Sequence, residues 1–267
     1  MAVRALGWRT DLMIRRLADA EIDDRGDYIV VSSPANPRFH WGNFVVLLRP
    51  PGIDDAGWIE DLLAAEFPAA RHRAIGIDGV DGRLGDPALA ARLDVVPELG
   101  VVMTAAAIGA VPPVDPALGP VALRPVEVDD AREWEQLMTL RMASADEEID
   151  GEDYLRARHA ESARMVRHGH GAWFGAFVDG VIRAELGIFT DGEGIARYQF
   201  VGTHPDFRRR GLTSALVASA GQWALASLPG VRELVIIADA GGPAARIYRR
   251  VGFRDQEWQA QLYNPGT

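Results

Sequence analysis

The chain has 267 residues, room for two ordinary domains or one large one, and its 48% hydrophobic and 25% charged residues are a globular balance. It holds no cysteine and no lysine, every one of its 28 basic residues being arginine, which excludes disulfides, thiolate nucleophiles, cysteine metal sites and Schiff-base chemistry on lysine. The formal charge of −10 argues against a general nucleic-acid binder and is compatible with a cationic small substrate.

The first eleven residues carry arginines but no apolar core and no small-residue cleavage site, so no secretory signal is expected. Residues Leu12–Asp19 read as a short helix or a strand end. Asp27–Ser33 is β-rich and predicts a strand, and Asn36–Asn43 is an aromatic loop with turn residues. A strand follows at Phe44–Leu48. Ile53, Trp58, Ile59, Leu62, Leu63 and Phe67 have helical spacing and predict a helix over Ile53–Phe67. Then come a strand at His72–Ile77, a short helix at Pro87–Leu93 and a strand at Gly100–Ile108. The longest uncharged run, about Leu99–Val114, is broken by glycine and proline and falls short of the ~20 apolar residues of a membrane span. The chain reads as soluble and cytoplasmic, with no membrane partner.

Gly109–Pro120 is proline-rich and reads as a stiff linker. The second half begins with a strand at Val121–Arg124 and a helix over about Asp129–Met142. Ala145–Asp153 is acidic, and Tyr154–Arg167 predicts another helix. Asp179-Gly180 between Ala172–Val178 and Val181–Phe189 is a hairpin signal. Asp191–Gly194 makes a second turn before the strand Ile195–Thr203.

Val201–Phe253 is the most informative stretch. A strand ends at Val201-Gly202-Thr203-His204-Pro205, and the basic glycine turn Arg208-Arg209-Arg210-Gly211-Leu212-Thr213 follows. An uncharged amphipathic run, Ser214–Leu228, comes next, then a strand at Leu234–Ala238 and the ending Ile247-Tyr248-Arg249-Arg250-Val251-Gly252-Phe253. A helix N-terminus offers free N–H groups and the positive end of its dipole, so strand, basic turn and helix together make an anion cradle. Gly211 lets a ligand approach the backbone closely, and three arginines add charge.

This stretch resembles the GNAT superfamily of acyl-CoA-dependent N-acyltransferases, over roughly Val121–Tyr263. The family's Gln/Arg-x-x-Gly-x-Gly/Ala signature is matched by Arg208 to Thr213, departing at Thr213, which either crowds a pyrophosphate or adds a donor to it. The resemblance implies that Arg208, Arg209, Arg210, Gly211, Leu212, Thr213 and Ser214 bind the pyrophosphate of acetyl-CoA, and that the backbone of Val201 and Thr203 pairs with the pantetheine arm. Ala244 and Tyr248 match the family's Asn-x-x-Ala-x-x-x-Tyr pattern, with Gly241 in place of the asparagine. Tyr248 would then be the general acid for the leaving thiolate; the alternative is a core tyrosine in a packing motif.

The resemblance further implies an α/β fold of the α+β type, with a mixed central sheet flanked by helices. The activity would be transfer of an acetyl group from acetyl-CoA to a small-molecule amine by direct attack in a ternary complex, since without cysteine the usual thiol for a ping-pong route is missing. A homodimer stays open. A different class of function, a non-catalytic acyl-CoA-binding or regulatory module, would keep the cradle and lack a base.

The general base is less legible. Glu185 lies in an apolar strand among Ile182, Ala184, Leu186 and Ile188, either on a solvent face or buried with a raised pKa, the solvent face being favoured. It is the candidate base. Glu193 reads as a solvated turn residue and His204 as part of the loop; Asp239 ends a core strand and is a further candidate. The acidic run Ala145–Asp153 suits either a rim for a protonated amine or a solvated loop. Phe39-His40-Trp41 reads as a hydrophobic contact between the halves rather than a lid. His168 and His170 suit a loop, and no metal site is expected.

The first half repeats the strand–helix order of the second and carries a faint copy of its turn, Arg49-Pro50-Pro51-Gly52-Ile53-Asp54. Pro50 and Pro51 have no N–H to give a phosphate, and Asp54 and Asp55 would repel one. The expected organisation is therefore a degenerate copy of the same fold at 1–110, a linker at 111–120 and the transferase domain at 121–267. An unrelated α/β domain in the first half is the alternative.

Overall fold

The computed structural model describes residues 3–144 and 152–266. In chain order the elements are α1 (Leu6–Leu17), β1 (Glu21–Asp24), β2 (Tyr28–Ser32), β3 (Phe44–Leu47), α2 (Ala56–Glu66), β4 (Arg73–Ile77), α3 (Pro87–Arg92) and β5 (Val96–Ala105). They continue with β6 (Val121–Pro125), α4 (Ala131–Ser144), α5 (Glu152–Arg167), β7 (Gly171–Val178), β8 (Val181–Phe189), β9 (Ile195–Thr203), α6 (Leu212–Ser227), β10 (Glu233–Asp239), α7 (Pro243–Val251) and β11 (Arg254–Asn264). Short 3-10 turns lie at His40–Gly42, Ile53–Asp55, Pro116–Leu118 and Pro205–Phe207. No described helix is long and apolar enough to cross a membrane.

The chain divides into two compact units, and β5, β10 and β11 pass from one to the other along their length. The first unit comprises the residues up to 102, Ile237–Gly241 and the residues from 256 onward. Here β2 pairs antiparallel with β1 and β3, β3 pairs parallel with β4, and β4 pairs antiparallel with the final strand β11. Alternate residues of a strand point to opposite faces, and the core follows that period. Val30, Val45, Leu47, Ile75 and Ile77 meet Ile59 and Leu62 of α2 and Leu89 of α3. Ile29, Val31, Phe44, Val46 and Ala74 meet Trp8 and Leu12 of α1. Trp8 leaves no unpaired donor, because its indole N–H reaches the carbonyl of Ile77 at 2.9 Å.

The second unit comprises Met103–Ile236 and Gly242–Asp255. Strands β6, β7, β8 and β9 form an antiparallel meander, and β10 runs parallel to β9 through the pairs Glu233↔Ile195, Leu234↔Ala196 and Val235↔Arg197. The hairpin β7–β8 turns at Asp179 (φ +51°) and Gly180 (φ +77°), two left-handed residues in the turn whose twist matches its strands. One face of this sheet takes α6: Phe174 packs edge-on to Trp223, and the Tyr198 hydroxyl donates to the carbonyl of Val217 at 2.8 Å. The other face takes α4, whose Arg141 lies over Trp173. Both units are thus mixed sheets flanked by helices, the α/β class that the sequence implies.

Several boundaries differ from the sequence reading. The Leu12–Asp19 segment is the end of a full helix, α1. Strand β1, with only Ile22 apolar, and strand β11, with alternating polar residues, carry too little hydrophobic signal to be read from sequence. The stretch Gly109–Pro120 belongs to the second unit: the Gly109 carbonyl accepts from Gln222 at 2.6 Å, and Asp115 N–H donates to the Arg210 carbonyl at 3.0 Å.

Candidate active site

The turn before α6 is built around Gly211, which caps the helix at φ +81°, a conformation that costs a residue with a Cβ but not glycine. A Cβ there would also stand 2.8 Å from the carbonyl oxygen of Pro113. The first intrahelical bond runs from Ala215 N–H to the Gly211 carbonyl at 3.1 Å. The amides of Leu212, Thr213 and Ser214 therefore have no partner within the helix. No side chain caps them, and α6 has no acidic residue in its first turn. Arg208, Arg209 and Arg210 are exposed beside them, and no described carboxylate pairs with these three. Orphan amides, a helix dipole and three guanidiniums with no carboxylate partner among the described residues are groups that attract a polyanion.

Thr213 is placed by its own bond: its hydroxyl lies 2.7 Å from that of Thr203, the last residue of β9. His204 begins the connecting turn. Its Nδ1 accepts from Asp206 N–H at 3.3 Å and its ring stands edge-on to Phe207, so it serves the loop structure, as its position beside Pro205 suggests.

Tyr248 projects from α7 into the second unit, 4% exposed, against Phe253 and in the neighbourhood of Tyr198. Burial, and then the Tyr248 phenol, push the Tyr198 pKa up; with its hydroxyl committed to Val217, Tyr198 is a structural phenol.

Glu185 is not on a solvent face. β8 is covered on both sides, and Glu185 is 1% exposed, held by Arg141 of α4. Arg141 Nε approaches its two carboxylate oxygens at 3.3 and 3.2 Å, and Trp173 Nε1–H donates to Oε2 at 2.8 Å. The favoured solvent-face reading fails because it assumed a one-sided sheet. Burial pushes the Glu185 pKa up, against the pull of Arg141 and of the indole N–H. Next to it β9 is bulged. Its register is Glu185↔Gly202 and then Gly187↔Gln199, so Phe200 and Val201 together face Leu186. Phe200 has φ +52°. Arg141 and Phe200 were missed by the sequence reading. Arg141 occupies the apolar stripe Trp134–Leu137–Met138–Arg141 of α4, an out-of-pattern charge that was the available signal; Phe200 left none.

The first-half turn has a different fate. Arg49 forks onto Asp55 (2.8 and 2.7 Å), and Gly52 N–H donates to the same carboxylate at 2.7 Å. The anion that such a turn would take is supplied by its own Asp55, whose pKa the Arg49 bond and the Gly52 N–H lower to about 2. Phe39-His40-Trp41 packs inside the first unit. Trp41 meets Trp8, Phe44 and Tyr263, and His40 stacks on His72 at 4.2 Å. Tyr263 comes from the second half of the sequence, so this run does make a contact between the halves, and it does so within the first unit. Asp239 is exposed and, with Glu98, borders a cavity of about 530 Å³ in the first unit. Glu147, Glu148 and Asp150 of the acidic run lie outside the described residues.

Residues 132–253 match the model of the acetyltransferase (GNAT) family, and this segment is a GNAT domain. Three solved structures resemble nearly the whole chain. A functionally unknown conserved protein from Staphylococcus epidermidis ATCC 12228 is 13% identical, covers 94% of this chain and 96% of its own, and has a TM-score of 0.67. A GCN5-related N-acetyltransferase from Kribbella flavida is 19% identical, with coverage of 98% and 97% and a TM-score of 0.62. A tandem GNAT protein from the clavulanic acid biosynthesis pathway is 16% identical, with coverage of 100% and 90% and a TM-score of 0.56. At these identities the likeness is one of fold. No curated protein matches the chain in sequence.

Proposed function

We propose that the chain transfers an acetyl group from acetyl-CoA to a small-molecule amine by direct attack in a ternary complex. The observation that carries this reading is the α6 N-terminus, where Gly211 at φ +81° leaves three orphan amides beside Arg208, Arg209 and Arg210. Arg208 to Ser214 would hold the pyrophosphate, and the backbone of Val201 and Thr203 the pantetheine arm. Acetyl-CoA, when bound, would supply a thioester whose carbonyl carbon accepts the amine, the C–S bond breaking to release the coenzyme A thiolate. Tyr248 is the proposed general acid for the departing thiolate. Glu185 is so enclosed by Arg141 and Trp173 that direct proton abstraction from an incoming amine would need that enclosure to open; Asp239, exposed on a cavity edge, is the more accessible carboxylate.

The domain reading belongs to the same proposal. In it 121–267 carries the transfer and 1–110 is a degenerate copy without a cofactor site, with 111–120 packed in the second unit and the segments 237–241 and 256–266 in the first. The bonding of Arg49 and Gly52 to Asp55 supports the loss of that site. The test is thiol release from acetyl-CoA across a broad panel of amines, with mass spectrometry of the acceptors. Acetylation of at least one amine is expected. Coenzyme A binding without turnover of any amine would favour a non-catalytic acyl-CoA-binding module instead.

A further inference from the structure

We infer that the buried Arg141–Glu185 pair is a clamp on the bulge of β9, and that Arg141, Glu185 and Phe200 are positioning residues for the acyl-bearing arm of the cofactor. The inference rests on the acyl-transfer reading for what is positioned, and on the structure alone for the clamp itself.

Phe200 has φ +52°. For a bulky residue this left-handed conformation is strained and persists only where the surroundings over-determine it. The surroundings here are specific. The Arg141 guanidinium lies 4.9 Å from the Phe200 ring centre and 4.5 Å from that of Trp173, with the two rings 6.4 Å apart. One flat cation thus lies against both aromatic rings. That cation is fixed in turn by Glu185, and Glu185 by the Trp173 indole N–H. Glu185 is also the cross-strand partner of Gly202, where an added Cβ would stand 3.7 Å from the Glu185 Cγ. The assembly therefore flanks Val201 of β9: a cation against Phe200, and a carboxylate on the residue paired across the sheet with Gly202.

The pair is a poor device for stability. Both side chains are 1% exposed, and Arg141 Nη2, although 3.1 Å from Glu185 Oε2, makes no well-directed hydrogen bond. Buried ion pairs of this kind are often replaced by apolar residues without loss of stability. What an apolar pair would not supply is a rigid cation against Phe200. The bulged segment also holds Val201, and two residues on Thr203, the backbone proposed to pair with the pantetheine arm. A small displacement of a reacting group, caused by a change far from the chemistry, is enough to cost a large factor in rate.

The test uses the full chain and two variants. Arg141→Met combined with Glu185→Gln removes both charges together and keeps an acceptor for the Trp173 N–H. Phe200→Gly accepts the left-handed backbone without strain and deletes the ring. In both, amide hydrogen exchange at Val201–Thr203 without cofactor is expected to quicken about tenfold or more, with exchange in α6 unchanged. The kcat for acetyl transfer is expected to fall about 10–100-fold, while the coenzyme A dissociation constant stays within about threefold. Phe200→Tyr should restore both exchange and kcat. Wild-type exchange at Val201–Thr203 in both variants would overturn the clamp, as would a parallel loss of melting temperature, cofactor affinity and rate. The exchange measurement needs no ligand, so it decides the clamp even where wild-type protein binds no coenzyme A, a result that would count against the acyl-transfer reading alone.

Discussion

The hydroxyls of Thr203 and Thr213 lie 2.7 Å apart, tying the end of β9 to the first turn of α6 beside the left-handed Gly211. The position at which the chain departs from the family signature is therefore engaged in an internal bond. Thr213→Val keeps the shape and removes the hydroxyl. The expected loss is about 1 kcal/mol, seen as a fall of roughly 2–4 °C in melting temperature, with coenzyme A affinity within about threefold of wild type. A tenfold or greater loss of affinity would assign the hydroxyl to the pyrophosphate instead.

Tyr248→Phe deletes the proposed proton donor and retains the packing against Phe253. The kcat is expected to fall on the order of 10²-fold, as for general acid–base groups, with coenzyme A affinity largely retained. Steady-state kinetics with an amine that the wild type acetylates reads this directly. Full activity would return Tyr248 to the role of a core residue.

The histidines predict a pH dependence of stability. His40 stacks on His72, and burial, then His72 and Arg38, lower its pKa to about 4. Burial also lowers His72, and burial and three arginines take His159 to about 4. The unfolded chain takes up the His40 and His159 protons near 6.5 and the folded chain only near 4. The histidine contribution is thus complete above about 6.5 and is lost as pH falls from there through about 4. The Asp55 contribution, present above the ordinary value of 3.8, is lost only as pH falls towards about 2. Calorimetry should show the melting temperature falling between pH ~7 and ~4.5, less steeply in His40→Gln. A flat profile there would contradict the half-buried neutral histidines.

Most of the second unit was legible because its signals are local. Asp179-Gly180 fixes a hairpin by turn chemistry, and Arg208–Thr213 joins a strand to a helix with only one backbone solution at Gly211. What escaped depends on partners distant in sequence. Glu185 reads as solvent-facing until α4 is known to cover β8 and to bring Arg141, 44 residues away, to its carboxylate. Strand β11 joins β4 of the first unit, a pairing no local pattern encodes. The aromatic run Phe39–Trp41 announces a cluster, but not that its partners are Trp8, Phe44 and Tyr263.

The central claim, one polyanion cradle at the α6 N-terminus and none at the Asp55-filled turn, is tested most directly by calorimetric titration of coenzyme A into three proteins. Wild type should bind one equivalent per chain. Gly211→Asp places a carboxylate among the orphan amides and should bind none, its fold verified by circular dichroism. Asp55→Asn should still bind one. Two equivalents in wild type, or undiminished binding in a folded Gly211→Asp protein, would contradict the account.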